Sequence, residues 1–137
     1  KPWEPAFDNL YANVVYDEQE KIYKCWYSPF ITDQKTTATP RDKRKTVNWH
    51  KPPSEVEMGL CYATSRDGLR WEKPELGLVD FNGSKKNNIL LRADPQVGEP
   101  HGSGVWKDLH DPYPARRYKM FVNRFNRALQ APAMHRG

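Results

Sequence analysis

Cysteine is scarce in this chain of 137 residues, which contains only Cys25 and Cys61. The two cysteines do not form a Cys-x-x-Cys pair, and the four histidines are scattered along the sequence. Structural zinc sites need several closely spaced Cys or His ligands, so the sequence predicts no such site and no metal. Both cysteines lie in stretches typical of strand interiors. This predicts buried free thiols, with a disulfide between neighbouring strands as the alternative.

Long apolar runs are also lacking. No stretch approaches the roughly 18 apolar residues of a membrane-spanning helix, so the sequence predicts neither a transmembrane protein of that kind nor a membrane partner. The first residues, Lys1–Glu4, are not followed by the apolar core of a signal peptide. The compartment therefore stays open, with secretion or a periplasmic location among the alternatives.

Positive charge is only mildly in excess, because 22 Lys and Arg stand against 17 Asp and Glu. The densest basic cluster falls at residues 41–51, between a Thr-rich stretch and a pair of prolines. Single-stranded nucleic-acid sites combine basic residues with aromatic side chains on which bases stack, and this cluster has few. The pattern predicts a solvated loop and no nucleic-acid partner.

Aromatic residues are abundant although only 37% of the residues are hydrophobic and the mean hydropathy is −0.94. A core in this chain therefore has to rest on aromatic side chains. Short runs rich in β-branched and aromatic residues alternate with turn residues, which predicts an all-β fold of antiparallel strands. The predicted strands are residues 13–16, 22–27, 58–64 and 76–81, with a short further strand at 88–91.

Two regions are predicted to lie outside these strands. Residues 31–57 have no periodic apolar pattern and are rich in Thr, Lys, Arg and Pro, which predicts a long irregular loop. Asn82-Gly83 is a hairpin-turn signal, and with Ser84 it also matches the N-glycosylation pattern.

An imperfect internal repeat links the two parts of the chain. Val14–Asp17, a polar loop and Tyr23–Trp26 are followed later by Gly104–Asp108, a loop and Tyr118–Phe121. The two Tyr-Lys pairs are 95 residues apart. One unit of about four antiparallel strands, followed by the start of a second unit, is the plan of a β-propeller.

The stretch Leu60–Trp71 is the most informative motif, because a strand ending in Ala63-Thr64-Ser65-Arg66-Asp67 leads into a turn and an aromatic residue. It resembles the strand-turn-aromatic signature of the five-bladed β-propeller glycoside hydrolases. That superfamily includes invertase-like, arabinanase-like and mannoside-phosphorylase-like enzymes, and the resemblance is to a bacterial branch of it. Tyr23–Ser28 and Tyr118–Phe121 resemble the second strands of its blades. The turn also resembles the sialidase Asp-box, but it is one residue shorter.

The resemblance implies an incomplete propeller of about one and a half blades over residues 1–137. Blade one would span about 8–91 with the insertion at 31–57, and blade two would begin at about 99–125. Propellers need roughly four or more blades to close, so we expect the chain to be an N-terminal fragment of a longer protein.

Several polar residues have structural explanations. We expect Ser65 and Asp67 to bond to turn amides and Trp71 to pack between neighbouring blades. Asp108 and Asp111 follow the first strand of the second unit, as Asp17 does in the first, and these acids are predicted to be solvated.

Glycoside cleavage needs a carboxylic acid that protonates the leaving oxygen and a second carboxylate that acts as nucleophile or base. The resemblance implies that these groups lie on the first strand of each blade, near the propeller axis. The blade-one acid position falls near Tyr11, so Asp8 is the nearest candidate there, and Glu99 is the candidate from blade two. The implied substrate-binding residues are Asn9, Asn13 and His101.

The resemblance implies a carbohydrate-active, glycoside hydrolase-like protein with a carbohydrate substrate and no cofactor, and a structural cation is the alternative. We expect the 137-residue chain alone to be inactive and to self-associate, because the walls of the site and the cover of its inner strands would come from further blades. The alternative is a non-catalytic propeller that binds carbohydrate or protein through aromatic residues such as Trp49 and Trp106. The lack of an acid at Tyr11 favours this alternative.

Overall fold

The structure, a computed structural model, describes residues 1–7, 10–44 and 55–125. Most of the regular structure in these residues is antiparallel β-sheet, which confirms the all-β prediction. The strands are β1 (Asn13–Asp17), β2 (Ile22–Tyr27), β3 (Phe30–Asp33), β4 (Val56–Met58), β5 (Leu60–Ser65), β6 (Ile89–Leu91), β7 (Glu99–Lys107) and β8 (Tyr118–Phe125). A short helix, α1 (Gln34–Ala38), and two 3₁₀ turns (Arg41–Lys43 and Pro114–Arg116) accompany them.

The main sheet contains four antiparallel strands in the order β1-β2-β5-β6. β1 and β2 form the predicted hairpin, because a polar loop separates two β-prone runs. β2 then pairs with β5, with Tyr23 opposite Ser65 and Tyr27 opposite Cys61. β6 contributes three residues at the edge beyond β5.

β7 and β8 form a second antiparallel hairpin, and β7 contacts β1, β2, β4 and β5. Val14 lies opposite Cys25 in the β1/β2 hairpin, and Val105 lies opposite Met120 in the β7/β8 hairpin. Cys25 and Met120 are 95 residues apart, the same spacing as the two Tyr-Lys pairs. The two copies of the internal repeat therefore have the same strand register.

The predicted strand at 76–81 is wrong, and β6 is the fourth strand of the main sheet. Gly77 has a φ of 71° and Leu78 is exposed, so this segment does not keep the regular pleat of a strand. It crosses one face of the sheet, where Phe81 packs against the buried cluster that contains Ile89. The Asn82-Gly83 turn is confirmed, since both residues have the positive φ of a tight hairpin turn.

The prediction of an irregular loop at 31–57 is wrong at both ends of the segment. β3 and β4 pair as an antiparallel hairpin, and Asp33 caps the start of α1. The segment has few apolar residues, but those near its ends, such as Ile31 and Val56, are buried. Burial of these side chains stabilises strands that the average composition does not indicate. Residues 45–54 lie outside the described residues.

The turn after β5 is held by the side chains predicted for it. Ser65 Oγ accepts a hydrogen bond from Gly68 N at 2.9 Å, and Asp67 Oδ1 accepts from the amides of residues 69 and 70 at 2.8 Å each. The amide bonds favour the charged carboxylate and lower the pKa of Asp67. The hydrogen-bonding roles of Ser65 and Asp67 are confirmed, and Trp71 packs against the core of its own sheet.

Buried side chains cover both faces of the main sheet. The cluster on one face consists of Cys25, Tyr27, Ile31, Cys61, Ala63 and Ile89. On the other face, Trp26, Leu60 and Val105 join the sheet to the β7/β8 hairpin. Both cysteines are free thiols, and burial raises the pKa of each. The prediction of buried free cysteines is confirmed.

An ionic network joins the two hairpins at the end of β1. The Asp17 carboxylate is fully buried and accepts hydrogen bonds from Lys107 Nζ at 2.7 Å, from Lys24 Nζ at 3.2 Å and from the Tyr118 hydroxyl. Burial alone would raise the pKa of Asp17, but the bonds from Lys107 and Tyr118 outweigh it and hold this pKa well below its usual range. The prediction that Asp17 is solvated is therefore wrong.

Asp111, in the loop after β7, is a second acid that is buried against expectation. Its Oδ2 pairs with Lys119 Nζ at 2.5 Å, and its Oδ1 accepts from Tyr113 N at 2.9 Å. Lys24 and Lys119 are equivalent in the repeat. Each hairpin therefore pairs the lysine of its second strand with an acid that ends or follows its first strand.

Candidate active site

The predicted site residues that the structure describes lie on two strands, β1 and β7. β1 contacts β7, and Asn13 Oδ1 accepts a hydrogen bond from Val105 N. This bond fixes the two strands relative to each other. It uses the oxygen of the Asn13 side chain, so Asn13 is a positioning residue.

Glu99, the first residue of β7, is buried with 4% of its surface exposed. Its Oε2 accepts a hydrogen bond from Met58 N at 2.8 Å. A buried carboxylate is costly unless hydrogen bonds satisfy it, so this bond is important for the stability of the region. Glu99 thereby holds β4 against β7.

His101 lies in a bulge of β7, since the register with β8 shifts between Pro100 and Ser103. The centres of the His101 and Tyr11 rings are 4.8 Å apart, with the ring planes at 51°. Gly102 has a φ of 83°, and a Cβ at this position would lie 3.4 Å from the Tyr11 side chain. Bulges redirect side chains out of the strand ladder and are common beside active sites. Here the bulge brings His101 onto Tyr11.

The segment before β1 has an unusual backbone. Leu10 and Tyr11 have φ angles of 56° and 45°, in the left-handed region that residues other than Gly rarely occupy. Ser28 holds this region from two sides: its N–H donates to Leu10 O at 2.7 Å, and its Oγ accepts from Gly102 N at 3.2 Å. Strained conformations of this kind concentrate at active sites and ligand clamps. The strain supports a functional role for the region around Tyr11.

The Ser103 hydroxyl is buried and has no hydrogen-bond partner among the described residues. Leaving such a group unsatisfied costs about 1–3 kcal/mol. Ser103 follows His101 by two positions on β7, so the orphaned hydroxyl lies beside the bulge. Sequence reasoning missed it, because a serine between two glycines has no distinctive signal.

The structure describes three of the five predicted site residues. Glu99 and His101 lie near the start of β7, whereas Asn13, the first residue of β1, is bonded to Val105 near the end of β7. The other two, Asp8 and Asn9, lie outside the described residues. In the sequence, Tyr11 is notable only because it stands where the resemblance implies an acid. In the structure, its ring contacts the His101 ring. We call Tyr11, Asn13, Glu99, His101 and Ser103 the strand-start site.

A cleft of about 290 Å³ lies beside the final residues of β1 and β7. It is lined by Val15, Tyr16, Glu18, Gln19, Val105, Trp106, Lys107 and Leu109. None of the predicted site residues lines this cleft. Within residues 1–7, 10–44 and 55–125, three or more His, Cys, Asp or Glu side chains are nowhere grouped to hold a metal ion. The same residues contain no helix with the length and apolar character to cross a membrane.

No protein-family model, curated protein or solved structure matches this chain. The chemistry of the strand-start site therefore has to be judged from its own geometry. That geometry combines an aromatic surface with amide, imidazole and hydroxyl groups along two neighbouring strands.

Proposed function

We propose that the chain is part of a carbohydrate-active β-propeller and that the strand-start site binds a sugar. The observation that carries this proposal is the contact between Tyr11 and His101 where the first strands of two repeated units meet. A sugar ring presents C–H faces and hydroxyl groups, so its site needs an apolar surface beside a few placed polar groups. The strand-start site offers both.

The arrangement of the strands supports the propeller part of the proposal. The main sheet is antiparallel and four-stranded, like a propeller blade. The β7/β8 hairpin repeats its first two strands in the same register and packs against its face through Val105. In a propeller the first strand of each blade lies nearest the axis. On this proposal β1 and β7 take that position, and the Asn13 bond between them supports it.

Hydrolysis at this site would use Asp8 and Glu99 as the carboxyl pair. One would protonate the leaving oxygen and the other would act as nucleophile or as base for water. We place this glycoside hydrolase-like activity in a longer protein that contains the chain, because further sheets would supply the walls that position the sugar. Positioning can contribute about 7–11 kcal/mol to barrier lowering, so the 137-residue chain alone is expected to be inactive.

Glu99 itself favours a second function, which is carbohydrate binding without cleavage. Its carboxylate is buried and bonded to the Met58 amide, so it already has a structural role. General acid–base catalysis requires a group within hydrogen-bond reach of the proton that it transfers. In this second function Glu99 supports the site and His101 contacts the sugar.

Sugar binding can be tested by NMR titration of the 137-residue chain with a panel of neutral oligosaccharides. We expect the His101 ring signals to shift with at least one oligosaccharide, and His101→Ala to weaken that binding about tenfold, which corresponds to about 1.4 kcal/mol. His110→Ala is the matched control, because His110 is an exposed histidine in the loop after β7. Equal weakening by both substitutions, or no shift at His101 with any sugar, would show that the site is wrong.

Cleavage needs a separate assay with aryl glycosides. We expect turnover by the longer protein, loss of turnover in Asp8→Asn and in Glu99→Gln, and no turnover by the 137-residue chain. Turnover that survives both substitutions would exclude this carboxyl pair. Turnover by the short chain that disappears in Asp8→Asn would show that these residues already form a complete site.

A further inference from the structure

The interface between the two hairpins is formed by two different surfaces. Trp26 and Lys24 belong to one side, and Tyr118 and Val105 to the other. The Trp26 and Tyr118 ring centres are 5.7 Å apart, and Lys24 Nζ lies 4.6 Å from the centre of the Tyr118 ring. A contact between unlike surfaces is head-to-tail, so it can be repeated in the same direction.

The first of these surfaces recurs on the outer face of the β7/β8 hairpin. In the shared register Phe121 holds the position of Trp26, and Trp106 holds the position of Val15. Phe121 is 74% exposed and Trp106 is 47% exposed. Their rings are stacked, with centres 5.8 Å apart and planes at 22°. We call Trp106 and Phe121 the tail face.

The second surface recurs on the far face of the β1/β2 hairpin. Tyr23 holds the position of Tyr118, and Val14 holds the position of Val105. Val14 is 49% exposed and Tyr16 is 40% exposed, and the ring centres of Tyr16 and Tyr23 are 4.8 Å apart. We call Val14, Tyr16 and Tyr23 the head face. One chain thus exposes counterparts of both sides of its own internal interface.

We propose that a second copy of this chain docks its head face onto the tail face of the first. Continuity with the internal interface identifies the occupant. Inside one chain Tyr118 packs on Trp26. Between two copies, Tyr23 of the second copy would pack on Phe121 of the first in the same way. Each complex retains one free head face and one free tail face. Association therefore continues beyond the dimer, to a ring if the rotation closes and to an open chain if it does not.

The test is sedimentation velocity of the 137-residue chain at increasing concentration. We expect the mass of the wild-type chain to rise beyond that of a dimer. Phe121→Asp damages only the tail face and Val14→Asp damages only the head face, so each variant alone should remain monomeric. A mixture of the two variants should form a dimer and nothing larger, because it contains one intact head face and one intact tail face. Leu69→Asp, at an exposed leucine outside both faces, should associate like the wild type.

Circular dichroism melts establish that each variant is folded. If Phe121→Asp or Val14→Asp unfolds, Trp106→Lys replaces the tail-face variant and Tyr16→Lys replaces the head-face variant. A wild-type chain that stays monomeric would overturn the proposal and leave the two faces to other segments of a longer polypeptide. Association of either variant alone at the wild-type level, or a mixture that fails to dimerise, would also overturn it.

Discussion

At the end of β1, the Asp17 carboxylate connects the two hairpins through Lys24, Lys107 and Tyr118. Removing one partner of a buried ion pair leaves an uncompensated charge, so we expect Asp17→Ala to lower the free energy of unfolding by about 3–5 kcal/mol. Urea denaturation measures the change. Glu18→Ala is the control, because the exposed Glu18–Lys21 pair should contribute less than about 1 kcal/mol. Equal losses in the two variants would contradict the importance of the network.

Asp17 also predicts a dependence of stability on acid. Its pKa is lower in the folded chain than the ordinary value of 3.8, so its stabilising contribution is fully present above that value and is lost as the pH falls below it. We expect the unfolding free energy of the wild type to decrease more steeply than that of Asp17→Asn below about pH 4. Urea denaturation at a series of acidic pH values gives the two slopes, and parallel slopes would exclude a depressed pKa.

Among the elements, β6 is the strand whose position is tested most directly by substitution. Ile89 in β6 is fully buried, whereas Leu78, in the segment 76–81 that the sequence predicts as a strand, is 59% exposed. Truncation of a buried Ile leaves a cavity, so Ile89→Ala should cost about 2–5 kcal/mol. Leu78→Ala should cost less than about 1 kcal/mol, since surface substitutions have small effects. Thermal and urea unfolding of the two variants distinguish the assignments, and the reverse order would favour the strand at 76–81.

The contrast between β1/β2 and β6 shows what local pattern can predict in this fold. β1 and β2 were predicted to within one residue, because β-prone runs around a polar loop specify a hairpin locally. β6 has only three residues and pairs with Leu60 and Cys61, nearly thirty positions earlier, so tertiary contacts decide its place. The positions of β3 and β4 also depend on tertiary contacts, because a few buried side chains such as Ile31 and Val56 hold the two strands in place.

The sequence predicts part of the strand-start site, through a family resemblance and not through local strand pattern. Asn13, Glu99 and His101 came from a resemblance that indicates where the first strands of the units begin. Tyr11 and Ser103 acquire their roles from a left-handed backbone and from a bulge, neither of which the sequence pattern indicates. Their roles therefore depend on contacts that only the folded chain supplies.

For the whole molecule, the two cysteines provide probes of global unfolding. Cys25 and Cys61 lie in one buried cluster, and burial raises the pKa of both thiols, which lowers the reactive thiolate fraction. We expect both to react slowly with a thiol reagent in buffer, and at rates that rise together with urea as the chain unfolds. Mass spectrometry of the labelled chain separates the two sites. Fast labelling of either cysteine without denaturant would contradict a single cooperative core.

The bonds that position the strand-start site also change how the molecule can meet other chains. The amides of Gly102 and Val105 are taken by the side chains of Ser28 and Asn13, which belong to the other repeat. An unpaired strand edge is a template on which another strand can add, as in aggregation. β7 therefore does not offer these two amides to an incoming strand. Growth of the kind found in amyloid is impeded along this part of its edge.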